Sequence, residues 1–284
     1  MFVMQKRKFH QRKIALIAGA GDLPEQVIVA LQKLNIKFSV IIFDNIASIR
    51  PKNVEIIEAK FENIAELFFQ LESGEYNSVI CCGYMHRPRL DLNEISEESK
   101  LILEPIMSNF KCGDEAIFRS ILHLFNEKSI EPLSIKELIP ESFPAKEFLT
   151  DRKPDASDHG DAKRAKEIFS VISPADLGQS VLVRDGLCIG IETSLGTDHV
   201  LSSLVGKTKQ GNIGNKTGGV LYKSPKINQN PFLDLPVIGR RTILGVKEAG
   251  LNGVVIEYSQ VIILKPSETI QLANKLGIFI WCRK

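Results

Sequence analysis

Nowhere in the 284 residues is there an apolar run approaching the roughly 18 that span a bilayer as a helix, and the start lacks the apolar middle of a secretory signal. The chain is therefore expected to stay in the cytoplasm. Excess charge of one sign is also missing: 36 Lys and Arg face 34 Asp and Glu, and a net charge of +2 argues against nucleic acid as the main partner. Cysteine is sparse. Cys81, Cys82, Cys112, Cys188 and Cys282 are odd in number and show no CxxC spacing, so reduced, buried thiols are expected rather than disulfides or a zinc site. The histidines, His10, His86, His123, His159 and His199, form no HExxH cluster, and no GxSxG elbow occurs, which disfavours zinc and serine hydrolases.

What is present is enough hydrophobic material, 44% of the chain, to fill two cores, in a length that exceeds one typical domain. Lys13–Ala18 is a short strand-like run ending in the turn GAGDLP, Gly19 to Pro24, and PEQVIVALQKLN then has helical spacing with Pro in its first turn. A strand from Phe38 to Phe43 completes a βαβ unit, whose sheet is expected to be parallel. A helix from Asn63 to Leu71 and a buried strand from Ser78 to Gly83 follow. That strand ends in the loop Gly83-Tyr84-Met85-His86-Arg87-Pro88, placed where open parallel sheets bind ligands. Helices over Leu101–Asn109 and Asp114–Glu127 close the first half; Asp114 and Glu115 suit a helix start or a metal.

Between Ile139 and Ala165 periodicity is lost and Pro and Asp accumulate, which reads as a linker. The expected domains are residues 1–142, a Rossmann-like parallel sheet with a basic leader, and 143–284, a mixed α/β domain. In the second half a helix is read over Ala162–Val171. Two strand-like runs, Gly178–Val183 and Leu187–Thr193, surround Asp185-Gly186 as a hairpin. A short helix from Thr197, a strand Val220–Lys223, a helix Arg241–Ala249, strands Gly253–Glu257 and Val261–Leu264, a helix Pro266–Leu276 and a strand Ile278–Cys282 follow. The leader, with Lys6, Arg7, Lys8, Arg12 and Lys13, reads as a solvated segment or as a weak attractor of anionic phospholipid.

Two places can hold phosphate chemistry. The GAGDLP turn lies between strand and helix, where backbone N–H groups cradle phosphate, but it is neither GxGxxG nor a P-loop and serves equally as a tight structural turn. The segment from Lys223 to Gly239 is denser. It carries Lys223, Lys226, Gln229, Asn230 and Asp234 in a Pro- and Gly-constrained stretch, so lysines can neutralise phosphoryl oxygens while a carboxylate holds a metal or orients water. A solvated surface loop has the same composition. Asp198, in Gly196-Thr197-Asp198, either caps the following helix or serves the same metal.

KIALIAGAGDLP, GYMHRP, KCGDEAIFR, ISPADLGQSVLV, IETSLGTDHVL, GGVLYKSPK and LDLPVIG stand in this order along the chain. The set resembles the bacterial UDP-2,3-diacylglucosamine pyrophosphatases of the non-calcineurin type, over nearly the whole length. The resemblance implies a Mg²⁺-dependent (or Mn²⁺-dependent) hydrolase of lipid A biosynthesis, releasing UMP and 2,3-diacylglucosamine 1-phosphate. It further implies two domains with the site between them, a homodimer, and peripheral contact with the inner membrane. Carried over position by position, it makes Asp234 the catalytic residue and a metal ligand with Asp198. It places substrate on Gly19, Gly21, Asp22, Thr197, Lys223, Lys226 and Gln229. Leu195 and Asn230 stand where relatives carry acids, and Tyr84 where they carry a small or polar residue. The first two departures favour an alternative, a weakened binding protein on the same fold. A nicotinamide oxidoreductase is disfavoured by the missing GxGxxG.

Overall fold

The first half forms a five-stranded all-parallel sheet around three central strands that are short branched-apolar runs buried on both faces, the pattern parallel sheets require. The computed structural model describes residues 9–46, 49–85, 90–109, 114–205, 217–227, 232 and 235–284; of the basic leader, Lys6, Arg7 and Lys8 lie outside them, while Arg12 pairs with Glu131 and Lys13 opens the first strand. The main boundary between two compact units falls between Pro140 and Glu141.

In the first unit the strands are β1 (Lys13–Ala18), β2 (Lys37–Phe43), β3 (Ile56–Ala59), β4 (Ser78–Cys82) and β5 (Glu131–Pro132), in the order β3-β2-β1-β4-β5. This is the Rossmann-like sheet expected from the βαβ pattern. The edge strands β3 and β5 are too short and polar to have been read in the sequence, and form by pairing with β2 and β4. The order reverses between β1 and β4, so the loops that follow them flank the switch point.

Helices Leu23–Lys33, Ile64–Ser73 and Asp114–Glu127 each stop in the same way before a strand. Asn35, Glu75 and Ser129 take positive φ (52°, 58° and 56°), and the next residue's N–H returns five positions to a helical carbonyl, as in Ile36 to Leu31 at 3.1 Å. Glycine is the usual residue there, and none of these three positions is glycine.

The second unit is a mixed sheet, ordered β12-β10-β8-β6-β7, of β6 (Ser180–Arg184), β7 (Leu187–Ile191), β8 (Val220–Lys223), β10 (Gly253–Glu257) and β12 (Phe279–Arg283). The last three are mutually parallel, and β6 runs antiparallel to both β8 and β7. The hairpin expected at Asp185-Gly186 is present, both residues taking positive φ (50° and 75°), with a register shift between Leu182 and Val183. A two-stranded parallel ladder, β9 (Val237–Ile238) with β11 (Ile262–Ile263), lies apart from this sheet.

Alternation along the strands divides the second core. Val181, Val183, Val220, Tyr222, Val255, Phe279 and Trp281 pack with the helix Ala156–Ile172 on one face. Leu182, Leu221, Val254, Ile256, Ile280 and Cys282 pack on the other with residues of helices Thr197–Ser202, Arg240–Glu248 and Pro266–Leu276. The helix expected from Ala162 starts six residues earlier, at Ala156, inside the presumed linker. Asp155 caps it and exchanges hydrogen bonds with Asp158, so the aspartates that resembled linker composition begin a helix. Asp161 is 3% exposed and accepts from the backbone N–H groups of Asp185 and Gly186, holding the hairpin turn.

Candidate functional site

At the first unit's switch point the two loops are stitched together by backbone. Gly19 donates to the Cys82 carbonyl at 2.7 Å, and Ala20 and Tyr84 exchange bonds at 2.8 and 2.9 Å. A Cβ on Gly19 would stand 2.6 Å from the Tyr84 carbonyl oxygen, so glycine is demanded there by close approach of two backbones. The N–H groups of Gly19 and Ala20 are consequently spent within the fold. Gly21, at φ 96° with open space around it, and exposed Asp22 are what this turn presents outward. Tyr84 is 55% exposed beside them, while His86 and Arg87 lie outside the described residues.

The second unit builds a polar network from four segments. Leu221 faces the helix Thr197–Ser202, and two residues on, alternation puts Lys223 on the same face at the carboxyl end of β8. Its ammonium, on a residue 6% exposed, donates to Thr197 Oγ1 at 2.6 Å. An ammonium has no lone pair, so the Thr197 proton must point elsewhere. It is donated to Glu192 Oε2 at 2.7 Å, and that carboxylate lies 3.9 Å from Lys223 Nζ. Glu192 sits just past β7 and is 8% exposed, and Thr197 opens its helix behind Gly196 at φ 85°. Opposite Lys223 across the β6–β8 ladder is Ser180, fully buried, whose hydroxyl has no hydrogen-bond partner among the described residues.

A buried cation is tolerated only where opposite charge and acceptors surround it. Lys223 has one acceptor and one carboxylate at longer range, and two of its three N–H donors meet no acceptor among the described residues. The arrangement is a fixed, partly compensated positive charge with donors to spare, which is what an oxyanion requires of its host.

Lys226, expected to share this work, is engaged differently. It pairs with Asp176 at 2.5 Å, while the Ile227 N–H bonds Ser173 Oγ at 2.7 Å and the Ser224 N–H bonds the Gln179 carbonyl at 3.0 Å. The stretch after β8 is thus fastened at three points to the segment SPADLGQ, Ser173 to Gln179, and Lys226 serves as one of the fasteners. Asp198 is exposed on the helix's first turn and makes no hydrogen bond or ion pair among the described residues, so its carboxylate is not a side-chain cap. Gln229, Asn230 and Asp234 lie outside the described residues. Among those described, no three His, Cys, Asp or Glu side chains gather as a metal-ligating group.

Glu192 and Asp176 were missed by the sequence reading. Glu192 carries a weak signal in hindsight: a lone acid ending an otherwise apolar strand is costly to bury without a partner.

On the sheet's other face Tyr222, 1% exposed, donates to Glu257 at 2.6 Å, and Lys166 pairs with the same carboxylate at 3.3 Å. Burial pushes the Tyr222 phenol well above its ordinary range, with the bonded Glu257 carboxylate adding to it. Tyr222 is fixed as a neutral donor.

Comparison with known proteins agrees with the division of the chain into two kinds of domain. Residues 13–142 match the LpxI N-terminal domain and residues 145–281 the LpxI C-terminal domain. A relative from Caulobacter vibrioides, named UDP-2,3-diacylglucosamine pyrophosphatase LpxI, is 26% identical over 271 residues, spanning 95% of this chain and 96% of its own.

Proposed function

We propose, for a chain that carries both domains of the LpxI family and so belongs to it, hydrolysis of the pyrophosphate of UDP-2,3-diacylglucosamine to UMP and 2,3-diacylglucosamine 1-phosphate. The observation that carries the reading is the buried ammonium of Lys223, held by Thr197 and Glu192 with donors left over. A diphosphate brings negative charge to a nearly buried site, and a preorganised cation offsets it without reorganising.

In this reading Lys223 binds phosphoryl oxygens and Asp234 orients the attacking water in line with the scissile bond. Lys226 acts through its pair with Asp176, shaping the segment that leads towards Asp234. Mg²⁺ keeps several waters and takes one or two protein carboxylates together with substrate phosphate oxygens, a demand that Asp198, with no competing partner among the described residues, and Asp234 would meet. When bound it supplies further charge neutralisation on those oxygens. The proposal includes peripheral contact with the inner membrane, where an acylated substrate resides, and a homodimer. No described helix is long and apolar enough to cross a membrane.

The test is release of UMP from UDP-2,3-diacylglucosamine with Mg²⁺ or Mn²⁺, in the wild-type chain and in Asp234→Ala. Turnover unchanged in Asp234→Ala refutes the role of that residue. A second reading, a binding protein that has lost turnover, draws on Leu195, which is 66% exposed where an acid is expected. It predicts saturable binding of the nucleotide lipid with no UMP released.

A further inference from the structure

Glu192 has so far been placed only as a neighbour of Lys223, yet the network ends on it. The polarity of the two short bonds is forced. Lys223 can only donate, Thr197 must therefore turn its own proton away, and only an acceptor can receive it. Glu192 is that acceptor, and its charge lies 3.9 Å from the ammonium that it helps to compensate. With Glu192 as acceptor, Thr197 presents a lone pair to Lys223 and no proton to any ligand.

The sequence separation makes this more than local packing. Glu192 and Thr197 flank one tight loop, five residues apart, whereas Lys223 arrives from a different strand, 26 residues beyond Thr197. Gly196, at φ 85°, closes the loop, and its N–H bonds the Thr193 carbonyl at 2.9 Å. The loop therefore delivers a carboxylate and a hydroxyl, in a fixed order, to the end of a buried lysine.

We propose that Glu192 is a positioning residue for the pyrophosphate site: through Thr197 it fixes the Lys223 ammonium where the phosphoryl oxygens bind, without touching substrate itself. The inference rests on the reading of Lys223 given above and adds to it a residue on which that lysine depends. Loss of its charge removes the carboxylate that compensates a nearly buried cation and weakens the chain that holds Lys223 on Thr197, a neutral amide oxygen being the poorer acceptor.

Two readouts on the full-length chain test it. In UMP release, Glu192→Gln is expected to lower kcat/KM by roughly tenfold or more, the equivalent of one hydrogen bond to a charged group. Glu192→Asp, which keeps the charge, is expected to recover part of that loss. The double variant Glu192→Gln/Thr197→Val is expected to lose no more than the worse single variant, because the residues act as one chain. Equal losses for Asp and Gln, additive losses in the double variant, or Glu192→Gln within about twofold of wild type (less than one such bond) would overturn the proposal.

The second readout needs no turnover. Trace labelling with acetic anhydride at fixed pH, read at Lys223 by mass spectrometry, is expected to run faster in Glu192→Gln than in wild type or Glu192→Asp. An unchanged rate overturns the proposal. Should wild type release no UMP, the hydrolase reading fails by itself and the labelling still decides the network. If Glu192→Gln does not fold, Glu192→Asp against Thr197→Val decides in both assays, equal behaviour of those two being the overturning result.

Discussion

Replacing Gly19 by alanine adds one methyl group where the structure leaves no room. The new Cβ would lie 2.6 Å from the Tyr84 carbonyl oxygen, 2.7 Å from the Gly83 carbonyl carbon and 2.9 Å from the Gly83 oxygen, all backbone atoms that cannot rotate aside. The two loops must separate, and the Ala20–Tyr84 pair of hydrogen bonds is stretched or broken. Two such bonds are worth about 1–3 kcal/mol together. Overpacking adds about 1–3 kcal/mol, and the lower entropy of the unfolded alanine chain returns about 0.4–1 kcal/mol. The expected net loss is roughly 1–5 kcal/mol, up to a large share of the stability of one domain. Urea unfolding followed by far-UV circular dichroism measures it across both units. The only tryptophan, Trp281, is buried in the second unit, so its fluorescence reports that unit's unfolding separately. Gly19→Ala should move the dichroism transition well below its wild-type midpoint and the fluorescence transition less. A dichroism midpoint equal to wild type would refute the close-approach argument.

Thiol chemistry should follow burial. Cys188 is exposed on β7, while burial pushes the thiols of Cys81 and Cys282 up to about 12 and that of Cys82 higher still. In a Cys112→Ser background, Ellman's reagent at pH 8 should therefore titrate one thiol quickly and the other three only after denaturation. Two fast thiols would contradict the structure. Acid stability offers a further check at Glu55, whose carboxylate accepts from Ser39 at 2.6 Å and Tyr76 at 3.2 Å. The Ser39 bond foremost lowers its pKa below the ordinary 4.5. A carboxylate with a depressed folded value stabilises the fold above the unfolded value and loses that contribution as pH falls through the folded one. Glu55→Gln should thus flatten the decline of urea midpoints below about pH 5, and an unchanged slope would remove Glu55 from the acid response.

Much of the architecture is legible because it is local. Strand, turn and helix in Lys13 to Phe43 announce a parallel sheet, and Asp185-Gly186 between two apolar runs announces a hairpin. Less legible were the Asn35, Glu75 and Ser129 stops, since positive φ at a residue other than glycine leaves no compositional mark. The start at Ala156 was hidden by aspartates that suit a linker and a helix N-terminus alike. The candidate site divides along the same line. Period-two alternation by itself sets Lys223 on the face of Leu221, and the lysine's charge by itself demands compensation when buried.

What answers that demand was decided by tertiary structure alone. Glu192 and Thr197 reach Lys223 from a loop beyond the hairpin, and Asp176 takes up Lys226 across 50 residues of sequence. No propensity or spacing encodes such pairings, because they arise only when the antiparallel register of β6 on β7 and β8 brings the start of β6 beside the ends of β7 and β8. The sequence determined that cations would cluster after β8. The fold determined that one of them fastens a loop and the other is left with donors to offer.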